Sequence, residues 1–232
     1  MSNAILSLRG ISKVFSETGS RIELFRDLDF DLAVGDFVSI TGASGVGKST
    51  LLHILGFLEA PTTGRALFKG QPVSDFSDAR LSEIRNREIG FVFQFHHLLP
   101  DLTVWENVLL PLRVGGILDE AGRERARALL HQVGLEGRMR HVPGQLSGGE
   151  RQRAAVARAL VNSPKVLLCD EPSGNLDTVN SEHLHTMLAD LNRNLGVAVL
   201  VVTHDAALAR RATRPLVMRG GRLEPADFTS LS

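Results

Sequence analysis

The 232-residue sequence has no tyrosine, a single tryptophan and a single cysteine, Cys169. One thiol cannot build an internal disulfide framework, and this usage fits a reducing compartment. Cys169 lies in the apolar run just before Asp170, so it reads as a small buried hydrophobe rather than a reactive thiol. Net charge is missing too, since 26 basic residues balance 26 acidic ones. No global field therefore draws the chain to nucleic acid or to an anionic lipid surface. No stretch interleaves basic and aromatic residues, which argues further against a nucleic-acid partner. Apolar runs such as Val197–Val202 fall far short of the ~20 residues of a membrane span. The opening MSNAILSLRG holds one arginine and no apolar core of a signal peptide, and neither repeats nor low-complexity tracts occur. The expectation is a soluble cytosolic protein whose only link to a membrane is a partner.

At this length the chain can bury a full core. Alternating polarity over Ile5–Phe15 and Arg21–Asp31 predicts a hairpin with its turn near Glu17–Ser20. Strands are expected at Asp36–Thr41, Ala66–Lys69 and Gly90–Phe93, and helices at Lys48–Leu58 and Ala79–Glu88. From Phe95 the texture turns helical, with patterns at Asp101–Arg113, Asp119–Val133 and Gly149–Val161. After Pro164 strands (Val166–Asp170, Val197–Val202, Pro215–Arg219) alternate with helices (Asn180–Asn194, Ala206–Ala212). That rhythm predicts an α/β fold with a mostly parallel sheet covered by helices. The expected division is one domain, its α/β core built from residues 1–94 and 163–232 and interrupted by a helical insert at 95–162.

The sequence GASGVGKST fully matches G-x-x-x-x-G-K-[ST] between a strand and a helix. Gly42, Gly45 and Gly47 let the backbone N–H groups of Gly42, Ala43, Ser44, Gly45, Val46 and Gly47 wrap a phosphate tail. The helix opening at Lys48 adds the positive end of its dipole. Lys48 reaches the outer phosphates, Ser49 puts a hydroxyl on Mg²⁺, and Thr50 is a further donor to the inner phosphates. Asp170 ends a buried apolar strand at the edge where open α/β sheets bind ligands, and it suits a Mg²⁺ that keeps several waters. Glu171, the next residue, is the candidate base for an attacking water. Ser147, Gly148, Gly149 and Glu150 open an arginine-rich helix, which amounts to a second anion site: a hydroxyl, free N–H groups and a helix start.

The order P-loop, LSGGERQR (Leu146–Arg153), VLLCDEP (Val166–Pro172) resembles the nucleotide-binding subunit of ATP-binding cassette (ABC) transporters. The resemblance covers nearly the whole chain. It implies a P-loop ATPase cassette with a RecA-like core, an N-terminal antiparallel β subdomain and an inserted helical subdomain, using ATP and Mg²⁺. Gln94 matches the family's Q-loop glutamine, implied to bind Mg²⁺ or the lytic water, and SGNLD (Ser173–Asp177) matches its D-loop. His204, in VVTHD, matches the switch histidine, implied to hold Glu171 and the γ-phosphate. The family stacks an aromatic of the first strand region on adenine; Phe15 is the candidate here, with core packing as the rival role.

The resemblance also implies a homodimer in which the Ser147 loop of one copy closes over ATP held by the Gly42 loop of the other. The stretch FQFHHLLPD (Phe93–Asp101) reads as an apolar ridge for a membrane subunit. It most closely resembles the lipoprotein-releasing branch of the family. That branch implies integral membrane subunits of the LolC and LolE type and a peripheral place on the cytoplasmic face of the bacterial inner membrane. A macrolide-exporter-type efflux ATPase and an FtsE-like division-signalling ATPase are the alternatives.

Overall fold

Two sheets divide the strands, and the polarity pattern explains which strands go where. The computed structural model describes residues 3–17 and 20–227. The predicted hairpin is the pair β1 (Ala4–Glu17) and β2 (Ser20–Ala33), antiparallel with Leu6 opposite Leu32 and Leu8 opposite Phe30. Residues 18 and 19, where its turn was expected, lie outside the described residues. β4 (Thr63–Phe68) and the two-residue β5 (Gln71–Pro72) complete this antiparallel sheet in the order β2-β1-β4-β5.

The second sheet contains β3 (Phe37–Thr41), β6 (Ile89–Phe93), β7 (Val166–Asp170), β8 (Ala198–Val202), β9 (Arg214–Arg219) and β10 (Arg222–Pro225). Its order is β10-β9-β3-β8-β7-β6. All pairs are parallel except β9 with β10. β8 is buried along its whole length, as a run without polar alternation must be when both faces are covered. On one face pack Leu51, Leu52, Ile54 and Leu55 of α1 (Lys48–Leu55), together with the antiparallel sheet. On the other lie Leu184, Leu188 and Leu191 of α6 (Thr178–Leu195) and Leu208 of α7 (Ala206–Arg211). Cys169 points into this second layer, where burial pushes its thiol pKa far up. It is the inert hydrophobe expected of it.

α2 (Asp78–Arg87) precedes β6. The helical insert holds α3 (Val104–Val114), α4 (Glu120–Gln132) and α5 (Gly148–Leu160), which bury a core of their own around Val108, Leu109, Leu130 and Ala157. No helix among the described residues is long and apolar enough to cross a membrane.

Several expectations need correcting, among them the starts of β4, at Thr63 and not Ala66, and of α3, at Val104 and not Asp101. α1 stops at Leu55 and not at Leu58, because Gly56 caps it and Phe57 takes a positive φ of 58°. β10 was not foreseen; it is four residues long and folds back over Gly220 and Gly221, both at positive φ.

The register places the site. Ile40 pairs with Val202, Val202 with Asp170, and Asp170 with Phe93. The next residues, Thr203, Glu171 and Gln94, thus leave the sheet side by side at its carboxyl edge, next to Thr41, the last residue of β3.

Candidate active site

The loop between β3 and α1 lies hard against β9. A Cβ on Gly42 (φ 150°) would sit 2.6 Å from the Met218 carbonyl oxygen, so only glycine fits. Lys48 folds back over the loop, its Nζ donating to the carbonyls of Gly42 at 2.9 Å and Ala43 at 3.0 Å. That fixes a mostly buried ammonium at the mouth of a cleft of about 420 Å³, lined by Ser44, Gly45, Gly47, Ser49, Thr50, Gln94, Glu171, His204 and the unforeseen Leu24. The volume is that of a small-molecule site, about 300–1,000 Å³.

Ser49 Oγ donates to Asp170 Oδ1 at 2.9 Å. Burial raises the Asp170 pKa, and the Ser49 hydroxyl opposes the rise. Glu171 is held with φ at 44°, a region that costs a non-glycine residue about 1–3 kcal/mol. Its backbone N–H donates to Val202 O at 2.9 Å, which pins the strained turn to β8. Two donors converge on Glu171 Oε2, Thr203 Oγ1 at 3.1 Å and the His204 backbone N–H at 3.1 Å, and His204 Nδ1 lies 2.9 Å from the same oxygen. No donor among the described residues engages Oε1. Gln94 Nε2 donates to Asn175 Oδ1 at 3.2 Å, and Asn175 Nδ2 returns a bond to Gln94 O at 3.3 Å. Thr203 and Asn175 were not singled out from sequence, although both sit inside quoted motifs.

The Ser147 segment is elsewhere. None of Ser147, Gly148, Gly149 or Glu150 lines the cleft. Ser147 is exposed and caps α5 in a reciprocal box: its N–H donates to Glu150 Oε2 at 2.8 Å, and its Oγ accepts from Glu150 N at 3.2 Å. Arg138 holds the other Glu150 oxygen at 3.1 Å. A Cβ on Gly149 would fall 2.2 Å from Asn180 Oδ1, in the first turn of α6. The signature segment and the helix that follows SGNLD therefore sit in close contact. Phe15 is 42% exposed, with Lys13 Nζ 5.0 Å from its ring centre. It belongs to no core cluster, and it does not line the cleft.

A family model described as ABC transporter matches residues 25–174. The chain belongs to the ABC transporter family. As an ABC ATPase cassette it has close structural relatives. A dimeric structure of MJ0796, a bacterial ABC transporter cassette, superposes with a TM-score of 0.86 at 40% identity, covering 94% of this chain and 96% of that one. MJ0796 in a post-hydrolysis dimer bound to ADP and Pi gives 0.87 at 39% identity, over 96% and 97% of the two chains. CbiO1 of Clostridium perfringens, part of the ABC transporter complex cbiONQ, gives 0.83 at 28% identity, over 96% and 88%. The cassette is the ATP-binding, ATP-hydrolysing subunit of an ABC transporter.

A hard cation fits the oxygens gathered at its cleft. Ser49 Oγ and Asp170 Oδ1 are adjacent, and no cluster of three or more His, Cys, Asp or Glu competes among the described residues. One carboxylate, one hydroxyl and the amide oxygen of Gln94 suit Mg²⁺, which takes its remaining ligands from phosphates and water.

His185 of α6 is 1% exposed, and among the described residues neither ring nitrogen has a hydrogen-bond partner. Asp205 Oδ2 lies 3.3 Å from Nε2 and Glu182 Oε2 3.7 Å from Nδ1, with Arg211 paired to Glu182. Burial pulls the His185 pKa below its ordinary 6.5, against the attraction of Asp205 and Glu182. The unfolded chain takes up this proton at a higher pH than the folded one. Stability is therefore lost as pH falls below about 6.5 toward the folded value. His185→Gln removes that dependence. The expected result is a urea midpoint that falls less in the variant than in the wild type between about pH 7 and pH 5.5; parallel lines would refute it.

Proposed function

We propose that two copies of this cassette pair head to tail and that ATP, held between the Gly42 loop of one and the Ser147 helix start of the other, drives them shut. The observation that carries this reading is the separation just described: a helix start led by exposed Ser147 lies outside the cleft that holds the P-loop. In one chain a single phosphate tail has no use for both. Isologous pairing makes two equivalent composite sites, and the relative MJ0796 has been solved as a dimer. Moving an open–closed equilibrium from 1:99 to 99:1 takes about 5.5 kcal/mol of differential binding. Two triphosphates that meet charge-assisted donors only in the closed pair are an adequate source.

Within each site Lys48 and the loop N–H groups hold the phosphates, and Thr50 adds a donor. Bound Mg²⁺, held by Ser49, Asp170 and Gln94, would neutralise charge on the outer phosphates. Glu171 takes the proton of the attacking water on Oε1, while Thr203 and His204 fix Oε2 and so aim the carboxylate. Phe15, exposed and with Lys13 Nζ over one face of its ring, offers the other face to adenine. With Cys169 replaced by serine, cysteines at 45 and 147 are expected to crosslink between copies only when ATP is present. Absence of the crosslink in protein that still binds ATP would overturn the head-to-tail pairing.

For the transported cargo we propose the lipoprotein-releasing role of LolD-type ATPases, with membrane subunits of the LolC and LolE type at the bacterial inner membrane. The supporting feature is the segment after Gln94, where Phe95 is 67% and Leu99 45% exposed on the insert. Residues 95–162 would then move as one unit under that partner. Expression in cells depleted of their own lipoprotein-releasing ATPase tests the assignment. Rescue is expected, and failure at normal expression favours an efflux or division-signalling ATPase.

A further inference from the structure

α5, the helix capped by Ser147, is bonded to the backbone on both sides of Gln94. Gln152, fully buried one turn into α5, donates from Nε2 to Phe93 O at 3.3 Å. Its Oε1 accepts from His96 Nδ1. Near the other end of α5, Arg158 donates to two successive carbonyls, His96 O at 2.9 Å and His97 O at 2.6 Å. His97 is held at a positive φ of 47°. Arg158 makes no ion pair among the described residues, and burial lowers its pKa. A guanidinium partly withdrawn from water without a carboxylate is costly unless other groups satisfy it. Here the two carbonyls of a strained turn do so. Downstream, buried Asn107 of α3 binds Leu99, Leu102 and Thr103 through four hydrogen bonds. The backbone of residues 93–103 is thus clamped to the helical insert while the Phe95 and Leu99 side chains stay outside.

We infer that Arg158, with Gln152, is a positioning residue that makes Gln94 and the Ser147 helix start move as one piece. When the helix start of one copy engages nucleotide on its twin, α5 shifts, and Arg158 and Gln152 carry the shift to the segment that sets Gln94 beside Glu171. The same path runs in reverse from a partner pressing on Phe95 and Leu99. This rests on the head-to-tail reading above. Arg158 touches neither nucleotide nor reacting water, so its loss leaves the P-loop intact.

The test compares Arg158→Ala, Arg158→Lys and Gln152→Ala in the full chain. For Arg158→Ala the KM for ATP is expected to stay within about twofold, while kcat falls about 10- to 100-fold, the scale of a small misplacement in a catalytic site. Arg158→Lys, a point cation able to hold one carbonyl, should fall between, and added guanidinium should restore part of the Arg158→Ala rate. Paired with Glu171→Gln, Arg158→Ala should need more ATP to dimerise. A kcat equal to wild type per folded molecule overturns the inference, as does a loss explained wholly by a lower folded fraction without rescue by guanidinium. If Glu171→Gln alone fails to dimerise with ATP, the head-to-tail reading falls instead, and the two failures are told apart.

Discussion

Glu171→Gln is expected to cut ATP turnover by about 10²- to 10⁴-fold, the usual worth of a positioned base, and to leave a stable ATP-bound dimer. The amide has the shape of the carboxylate. Its oxygen can still accept from Thr203 Oγ1 and the His204 N–H, which now bind Oε2 at 3.1 Å each. The backbone strain at φ 44° is untouched, because Val202 O holds the peptide and not the side chain. What disappears is the oxygen that takes a proton from water. Phosphate donors on both copies remain, so closure is kept while the step that resets it is lost. Gel filtration with and without ATP, beside a phosphate-release assay, checks both halves. A monomer that binds ATP contradicts the head-to-tail pairing, and a variant keeping more than about a tenth of normal turnover contradicts the assignment of Glu171 as base.

The sequence made the scaffold legible wherever one local period decided it. Val166–Cys169 and Val197–Val202 are uniformly apolar, and both became buried parallel strands. Ser77, Thr103, Asp119, Ser147, Asp177 and Asp205 stand where helices start, and each accepts a capping bond there. The P-loop glycines, Asp170, Glu171, Gln94 and His204 were named from motifs; Gly45, Gly47, Glu171, Gln94 and His204 line one cleft, and Asp170 sits behind it, bonded to Ser49 of its wall. Partnerships between distant residues were not legible. Nothing local in Thr203 says that it will hold Glu171, and nothing in Asn180 says that its side chain will forbid a Cβ at Gly149. β10 is too short for a period of two to register, and Leu24 lines the cleft only because β2 passes beside the loop. His185 reads as one polar position in an amphipathic helix. Its burial between two carboxylates is a product of how α6 meets α7.

Lys48→Ala should abolish turnover and weaken ATP binding by about 100-fold or more. Charge-assisted hydrogen bonds are worth about 1.5–3 kcal/mol each, and each 1.4 kcal/mol is tenfold in affinity. The ammonium now rests on the carbonyls of Gly42 and Ala43, so it is already aimed at the phosphates that the loop would surround. Ordering a long flexible side chain is a cost of binding that this site has met in advance. Alanine leaves those two carbonyls facing an open cleft where water can reach them, so the fold should survive with only a small loss of stability. That separates the variant from a misfolded one: an unchanged thermal transition without nucleotide, and a smaller ATP-induced rise than wild type shows. Full-strength ATP binding by Lys48→Ala in a well-folded protein would remove the cation from the account of binding. Normal turnover would remove the P-loop from the mechanism altogether.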